Sequence, residues 1–361
     1  IIYNQEINKG CTMKNKLKHL VPVLLALATI TGSLSACELK PKAQQKVSKQ
    51  GFYFDTIIQI TLYGTTDEKY IDDCFDMAKK YEDMLSNTVS YSEVSKINDA
   101  AGKEYVTVSD DTLELIKNGI EYGDTSDGRF DITIGKLSDL WNFSEIAENT
   151  DSKDNEVDAS VVPSDAQIQS ELSHVNYRNI QINGNDVMLT DSKAKLDLGG
   201  IAKGFIADKM KAYLQSKKIT SGIINLGGNV LTVGEKSDGS DYTVGIQKPF
   251  DESGEPICTV KIKDKSVVTS GIYERYYRVD GKLYHHILDT TTGYPVKNNL
   301  YSVTIISDSS CDGDALSTTC FALGIDKAKE LINSLSGVEA IFVTDDYSII
   351  TTSDEYNVST E

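Results

Sequence analysis

Histidine, cysteine and positive charge are all scarce in this chain, and each shortage removes a class of chemistry. The 361 residues hold four histidines, His19, His174, His285 and His286, too few and too scattered for a His-based metal cluster. The six cysteines contain no paired C-x-x-C spacing, which removes the common zinc patterns. Basic residues number 36 against 54 acidic ones, a formal net charge of −18, and that balance argues against nucleic acid and against an electrostatic grip on anionic lipid. No segment carries a Walker loop or a G-x-G-x-x-G fingerprint, and none offers a Ser or Cys nucleophile motif. What remains is ordinary for a folded body: 40% hydrophobic residues and only six prolines, enough chain for one large or two intimate domains.

The first forty residues follow a different logic. Met13 to Lys18 is basic, Leu20 to Ile30 is apolar but too short for a comfortable membrane span, and Leu34-Ser35-Ala36-Cys37 closes with small residues before a cysteine. This succession reads as an export signal over residues 1–36, with Ile1 to Thr12 expected to be an over-extended start. Its ending resembles a bacterial lipobox, in which Cys37 carries the lipid and becomes the first mature residue; a plain signal peptide with a coincidental cysteine is the alternative. Removing residues 1–36 takes away a net three positive charges and leaves −21. Residues 37–50, rich in Lys and Gln, are expected to be a solvated tether, and residues 51–355 the folded domain. Cys74, Cys258, Cys311 and Cys320 then remain as disulfide partners or buried free thiols.

Along that domain the pattern is mixed. Phe52 to Tyr63 alternates as a first strand; Asp67 to Leu85 and Ser109 to Tyr122 have helical spacing, with Ser109 as N-cap. Ser86 to Asn98 is a turn followed by a short capped helix. Residues 144–166 are acidic and patternless and read as a surface insertion. Val175 to Leu198 reads as a hairpin turning at Asn183–Asp186, Ile223 to Val233 as one buried strand broken by Gly227-Gly228-Asn229, and later strands fall at 242–247, 257–263, 267–270, 273–279 and 302–307. The expected class is α+β.

Four stretches could carry chemistry. In Cys311–Cys320, Asp314 and Thr318 stand four apart, so on a helix a carboxylate and a hydroxyl share one face, a hard-oxygen pair that suits Mg²⁺ better than zinc. Equally, Asp312 or Asp314 caps the helix and Thr318 packs. Asp197-Leu-Gly-Gly-Ile-Ala-Lys203 reads as a strand ending in Gly-Gly and opening a helix, which bares backbone to a ligand and aims a cation at it; close packing explains the glycines as well. Asp131, inside an apolar run from Gly128 to Trp141, usually bonds backbone donors. His285 and His286, adjacent on a strand, face opposite sides, so at most one serves a given site.

Taken in order, the segments Ser86–Asn98, Gly128–Trp141, Asp197–Asp208, Asn225–Asn229, Thr269–Tyr276 with Tyr284–Pro295, and Asp314–Thr318 resemble the ApbE family of flavin transferases over nearly all of residues 50–352. The resemblance implies a T-fold-related arrangement of mixed sheets and packed helices with a flavin cleft between two lobes. It implies an enzyme that binds FAD with Mg²⁺, splits the diphosphate and joins FMN to a threonine of a partner, with membrane redox subunits of Rnf or Nqr type as the expected acceptors. By motif position the metal falls to Asp314, Thr318 and the Gly200 carbonyl. Flavin contacts fall to Phe54, Thr88, Arg129, Phe130, Asp131, Asp197, Lys203 and the Leu288 backbone, and the base to His286. The family's Met-Gly-Thr is Phe54-Asp55-Thr56 here, its aromatic residue is Thr88, and its Asp-Pro-x-Thr-Gly is Asp289-Thr-Thr-Thr-Gly. Export as a lipoprotein, on the outer face of the cell membrane, agrees with Leu34–Cys37.

The chemistry suits the residues. Breaking a diphosphate needs charge neutralisation, which Mg²⁺ and Lys203 can supply, and a neutral imidazole titrating near neutrality can take the proton of an attacking hydroxyl. In-line attack by the acceptor is expected, without a covalent enzyme intermediate. A pyrophosphatase that releases FMN and AMP would use the same cleft, with water as acceptor; a non-enzymatic flavin-binding lipoprotein would have no need of a metal carboxylate at Asp314.

Overall fold

The computed structural model describes residues 45–150, 155–251, 253–356 and 358–360. The Met13–Ala36 segment and Cys37 lie outside them. Eight strands form one sheet: β1 (Lys46–Tyr53), β2 (Thr56–Tyr63), β3 (Ser221–Leu226), β4 (Asn229–Gly234), β5 (Ser266–Gly271), β6 (Leu300–Ser307), β7 (Glu339–Thr344) and β8 (Ile349–Thr351). They lie side by side in chain order, each antiparallel to the next. The fold is therefore a meander whose long excursions leave the sheet between neighbouring strands.

Those excursions build the two covering layers. β6 is buried at every position except Tyr301, the pattern of a strand covered on both faces. On one face Val267, Ile306 and Ile341 meet the hairpin of Tyr242–Gln247 and Pro256–Ile262 through Tyr242, Val244, Ile246, Val260 and Ile262. The longer helices of the other excursions are α1 (Lys69–Leu85), α2 (Asp110–Thr125), α3 (Ala202–Ser216), α4 (Ser310–Leu323) and α5 (Ile325–Ser334). α1 buries Ile71, Cys74, Ala78, Tyr81 and Leu85, the three- and four-residue spacing of an amphipathic stripe. α4 lies on β5 and β6 and against α3. A second apolar cluster of Leu137, Trp141, Phe143, Ile168, Tyr277, Val279 and Leu288 sits under the ribbon of Tyr276–Val279 and Lys282–His285. There the Trp141 indole donates to the Gly293 carbonyl at 2.8 Å and fastens the 289–295 turn to that cluster.

The mixed α+β reading holds, with local corrections. Lys46 to Gln50, expected as tether, belong to β1, because Val47 and its neighbours find ladder partners on β2. The expected first strand is split by a turn at Phe54-Asp55, both at positive φ. Ile223–Val233 is two strands of a hairpin, since Gly227 and Gly228 at positive φ turn the chain back. The 175–198 hairpin is confined to Ile180–Asn183 and Asp186–Leu189, and Asp197 follows no strand; Lys195 makes only an isolated bridge to Ile134. The 144–166 stretch is not merely a surface insertion: Phe143 is buried, and Ile146, Val157, Val161 and Val162 pack on the second cluster. Cys74, Cys258, Cys311 and Cys320 are free and buried. Burial pushes the Cys74 and Cys320 thiols up to about 12 and Cys258 up to about 11, so they stay protonated and inert.

α3 and α4 are in backbone contact at Gly204, where a Cβ would stand 2.1 Å from the Ser310 carbonyl oxygen. Glycine to alanine in a helix ordinarily stabilises, by up to about 1 kcal/mol. Here the sign should reverse: Gly204→Ala should cost about 1–3 kcal/mol through backbone displacement, seen as a lowered melting temperature. A melting temperature equal to or above that of the parent protein would show that the helices can separate freely.

Candidate active site

The N-cap of α4 is Ser309, whose hydroxyl accepts the Asp312 N–H at 3.1 Å. Asp312 and Asp314 therefore do not cap their own helix. Asp312 accepts the Tyr122 hydroxyl at 2.7 Å. Asp314, 4% exposed, turns toward the start of α3, where its Oδ2 accepts the Gly204 N–H at 2.9 Å and its Oδ1 lies 3.7 Å from Lys203 Nζ. One turn along α4, the Thr318 hydroxyl is 3.0 Å from that of Ser270 on β5. Gly200 closes the corner: a Cβ there would be 3.2 Å from the Phe130 ring and 4.0 Å from Thr318 Oγ1. Lys203 Nζ also donates to the Gly199 carbonyl at 3.2 Å. Asp314, Thr318, Gly200, Lys203 and Phe130, far apart in sequence, thus share one corner.

The donors in that corner fit a hard cation. Among the described residues no group of three or more His, Cys, Asp or Glu side chains could hold a metal, so an ion in this corner would draw on fewer such side chains, with other oxygen donors completing its shell. Mg²⁺ suits such a set because it keeps several waters or phosphate oxygens and needs few protein ligands.

The remaining residues implied by the resemblance divide into two groups. Arg129 donates to Asp289 at 2.9 Å and to Thr291 at 3.3 Å, and Thr290 donates to the Gly128 carbonyl at 2.7 Å. These bonds bring the Gly128 segment to the Asp289 turn, where Leu288 is held by an isolated bridge to Pro295. Asp131, by contrast, is spent on the fold. Its Oδ1 accepts the Thr133 N–H and hydroxyl and its Oδ2 the Tyr177 N–H, which is the backbone-bonding role its apolar surroundings suggested. Burial raises its carboxyl above the ordinary range, against the pull of those donors. Asp197 accepts the Gly199 N–H at 2.8 Å and so shapes the Gly-Gly turn. The bonds of Phe54 and Thr88 run to Glu82 and Ser86, not to the Asp314 corner.

The two histidines have different surroundings, but not through the expected alternation: the strand ends at His285, and His286 lies in the bend after it. His285 is buried, donates from Nε2 to the Val296 carbonyl at 3.0 Å and accepts the Ile287 N–H at Nδ1, which leaves no ring nitrogen for chemistry. His286 is half-buried, and its Nδ1 faces the Arg275 carbonyl at 3.3 Å. Since a carbonyl only accepts, Nδ1 carries the proton and Nε2 keeps its lone pair. Desolvation, with Arg275, His285 and Lys203 adding to it, pushes His286 down to about 3. That direction runs against the titration near neutrality expected from the residue type and favours the neutral imidazole.

Sequence reasoning singled out neither Ser270, which props Thr318, nor Asp208, which binds the start of α4 through Ser310 and Cys311. Both stood inside quoted motifs, but their partners lie across the fold. Glu274, beside Arg275, was missed too. It keeps solvent contact, yet crowding protein raises its carboxyl above the usual range, with Arg275 and Lys203 pulling the other way.

The ApbE family model matches residues 54–342. The chain is similar to an FAD:protein FMN transferase of Klebsiella pneumoniae, 38% identical over 82% of this chain and 88% of the relative. A second such transferase, from Treponema pallidum, is 31% identical over 76% of this chain and 77% of its own length. Among solved structures, the ApbE protein of Thermotoga maritima superposes with a TM-score of 0.75 at 30% identity, covering 85% of this chain and 96% of that one. The flavin transferase ApbE of Vibrio cholerae, at 24% identity and a TM-score of 0.73, shares the fold.

His285 also links stability to pH. Desolvation lowers it to about 4, so the unfolded chain, near 6.5, binds the proton more readily. Its contribution is complete above pH 6.5 and is lost as pH falls toward 4. At pH 5 the loss should be about 2 kcal/mol, and His285→Gln should flatten the stability profile between pH 7.5 and 5 by that amount in denaturant melts. Parallel profiles for the two proteins would rule the linkage out.

Proposed function

The chain belongs to the ApbE family and is a flavin transferase that takes FAD as its substrate, and we propose that it works with Mg²⁺ at Asp314, Thr318 and the Gly200 carbonyl to pass FMN to a threonine hydroxyl of a partner protein. The carrying observation is the corner itself: Asp314 reaches across 110 positions of sequence to bond Gly204, beside Lys203 and Gly200, at the start of α3. A carrier that only bound flavin would have no use for a buried carboxylate aimed at a lysine and a bare glycine turn.

The division of labour follows from the positions. A divalent cation held there would neutralise charge at the diphosphate, the costly part of the reaction. Lys203 adds a second positive charge from the same corner. His286, with Nδ1–H fixed on Arg275, takes the acceptor's hydroxyl proton at Nε2. The acceptor oxygen forms its bond to the FMN phosphorus, the diphosphate P–O bond breaks, and AMP leaves with the bridging oxygen. Arg129 and the Asp289 turn fasten the Gly128 segment beside the cleft. The acceptors we infer are FMN-carrying subunits of membrane redox complexes of Rnf or Nqr type. A lipid on Cys37 would hold the enzyme on the outer face of the same membrane.

Asp314→Ala should lower FMN transfer to a co-expressed acceptor by about a hundred-fold or more, read by the acceptor's mass at a temperature where the variant, which also loses its bond to the Gly204 N–H, is still folded by circular dichroism. Transfer at the parent rate in metal-depleted buffer would remove Asp314 from the metal site. Release of FMN and AMP from FAD at the same rate with and without acceptor would make water the true acceptor.

His286→Asn should lose about a hundred- to ten-thousand-fold in transfer and still bind FAD. Because His286 is already neutral, kcat/KM of the parent enzyme should show no inflection between pH 5.5 and 8 that disappears in His286→Asn. An inflection near 6.5 that the substitution abolishes would mean that the imidazole titrates normally.

A further inference from the structure

Asp208 lies on α3 and carries no role in the reaction above, yet its half-buried carboxylate is held against the first turn of α4. Its Oδ1 accepts the Ser310 N–H at 2.9 Å, and its Oδ2 accepts the Cys311 N–H at 2.9 Å and the Ser309 hydroxyl at 3.1 Å. The first four N–H groups of a helix have no partner within it, and Asp208 satisfies two of those of α4 from a neighbouring helix. The arrangement is reciprocal. α3 has no side-chain cap of its own at Ile201, and the Gly204 N–H in its first turn is taken by Asp314 of α4. Between the two carboxylates the backbones touch at Gly204 and Ser310. α4 is thereby pinned at its start, four residues before Asp314 and eight before Thr318.

We propose that Asp208 is a positioning residue for the cation site: by clamping the first turn of α4 onto α3, it fixes the Asp314 carboxylate and the Thr318 hydroxyl relative to Gly200. A cation that demands near-octahedral geometry tolerates little drift in its ligands, and a carboxylate that orients a ligand from behind commonly governs metal affinity. Burial raises the Asp208 carboxyl above the ordinary range despite its donors, with Asp312 adding repulsion. The inference rests on the metal reading of the Asp314 corner.

The test is Mn²⁺ binding to the purified protein without FAD, followed by electron paramagnetic resonance, beside the Mg²⁺ dependence of FMN transfer. Asp208→Asn keeps the size of the side chain but loses its charge and one acceptor. It should weaken Mn²⁺ binding about 10- to 100-fold and raise the Mg²⁺ needed for half-maximal transfer in parallel, while the rate at saturating Mg²⁺ returns to within a few-fold of the parent. Asp312→Asn, on the same helix turn but bonded to Tyr122, should shift Mn²⁺ binding by less than about twofold; a general loosening of the helix would move both variants. If Asp208→Asn does not fold, Ser309→Ala decides instead, with a several-fold loss of Mn²⁺ affinity expected and an unchanged affinity overturning the proposal. A folded Asp208→Asn that binds Mn²⁺ as the parent does overturns it too. Asp314→Ala separates the two levels: if it also binds Mn²⁺ normally, the metal reading fails, and if it alone loses binding, only the role of Asp208 does.

Discussion

The contact between α3 and α4 at Gly204 sets the geometry of everything that follows. A helix start needs acceptors for its N–H groups, and a buried carboxylate needs donors; placing an aspartate of each helix at the start of the other satisfies both demands at once. The absence of a side chain at Gly204 makes that exchange short enough to form. Once α4 is seated there, its next turn lies over β5, where Gly313 rests on Val268 and Thr318 meets Ser270. The distances among Asp314, Thr318, Lys203 and Gly200 are consequences of this seating.

Electrostatics follow from the same burial. The protein is strongly acidic, with a net charge of −18, and Lys203 and Arg275, which both lie near His286, each have an acidic neighbour, Asp314 and Glu274. The two cations also act on His286, which desolvation has already pushed well below its ordinary range. The same desolvation and cations that keep the imidazole neutral also make it a weaker proton acceptor than a free one. The neighbouring His285 is committed to Val296 and Ile287, so two adjacent residues of one type have unrelated surroundings.

Much of the fold was legible in the residues. Apolar spacing located α1, α2 and most strands of the sheet, and Ser109 was a readable N-cap. Failures came where local pattern is ambiguous. Lys46 to Gln50 is polar enough to pass for a tether, because an edge strand buries only one side and β2 supplies its ladder. Residues 144–166 lack periodicity, yet their scattered apolar side chains cover Trp141 and Phe143. Asp131 and Asp197 sit in ligand-like motifs, and the sequence did not show that Asp131 bonds Thr133 and Tyr177 or that one oxygen of Asp197 bonds Gly199.

By itself the sequence determined the chemistry on offer: a hard-oxygen pair four residues apart, a glycine turn carrying a lysine, two adjacent histidines, and motif order matching a flavin transferase family. Periodicity and residue type are local properties, so they survive without a structure. Which histidine keeps an uncommitted ring nitrogen, which helix start Asp314 turns to, and what holds α4 in place were decided only by tertiary structure. Each depends on partners about 10 to 110 positions away, Arg275, Val296, Gly204 and Asp208, and a hydrogen bond between distant segments leaves no periodic trace in either one.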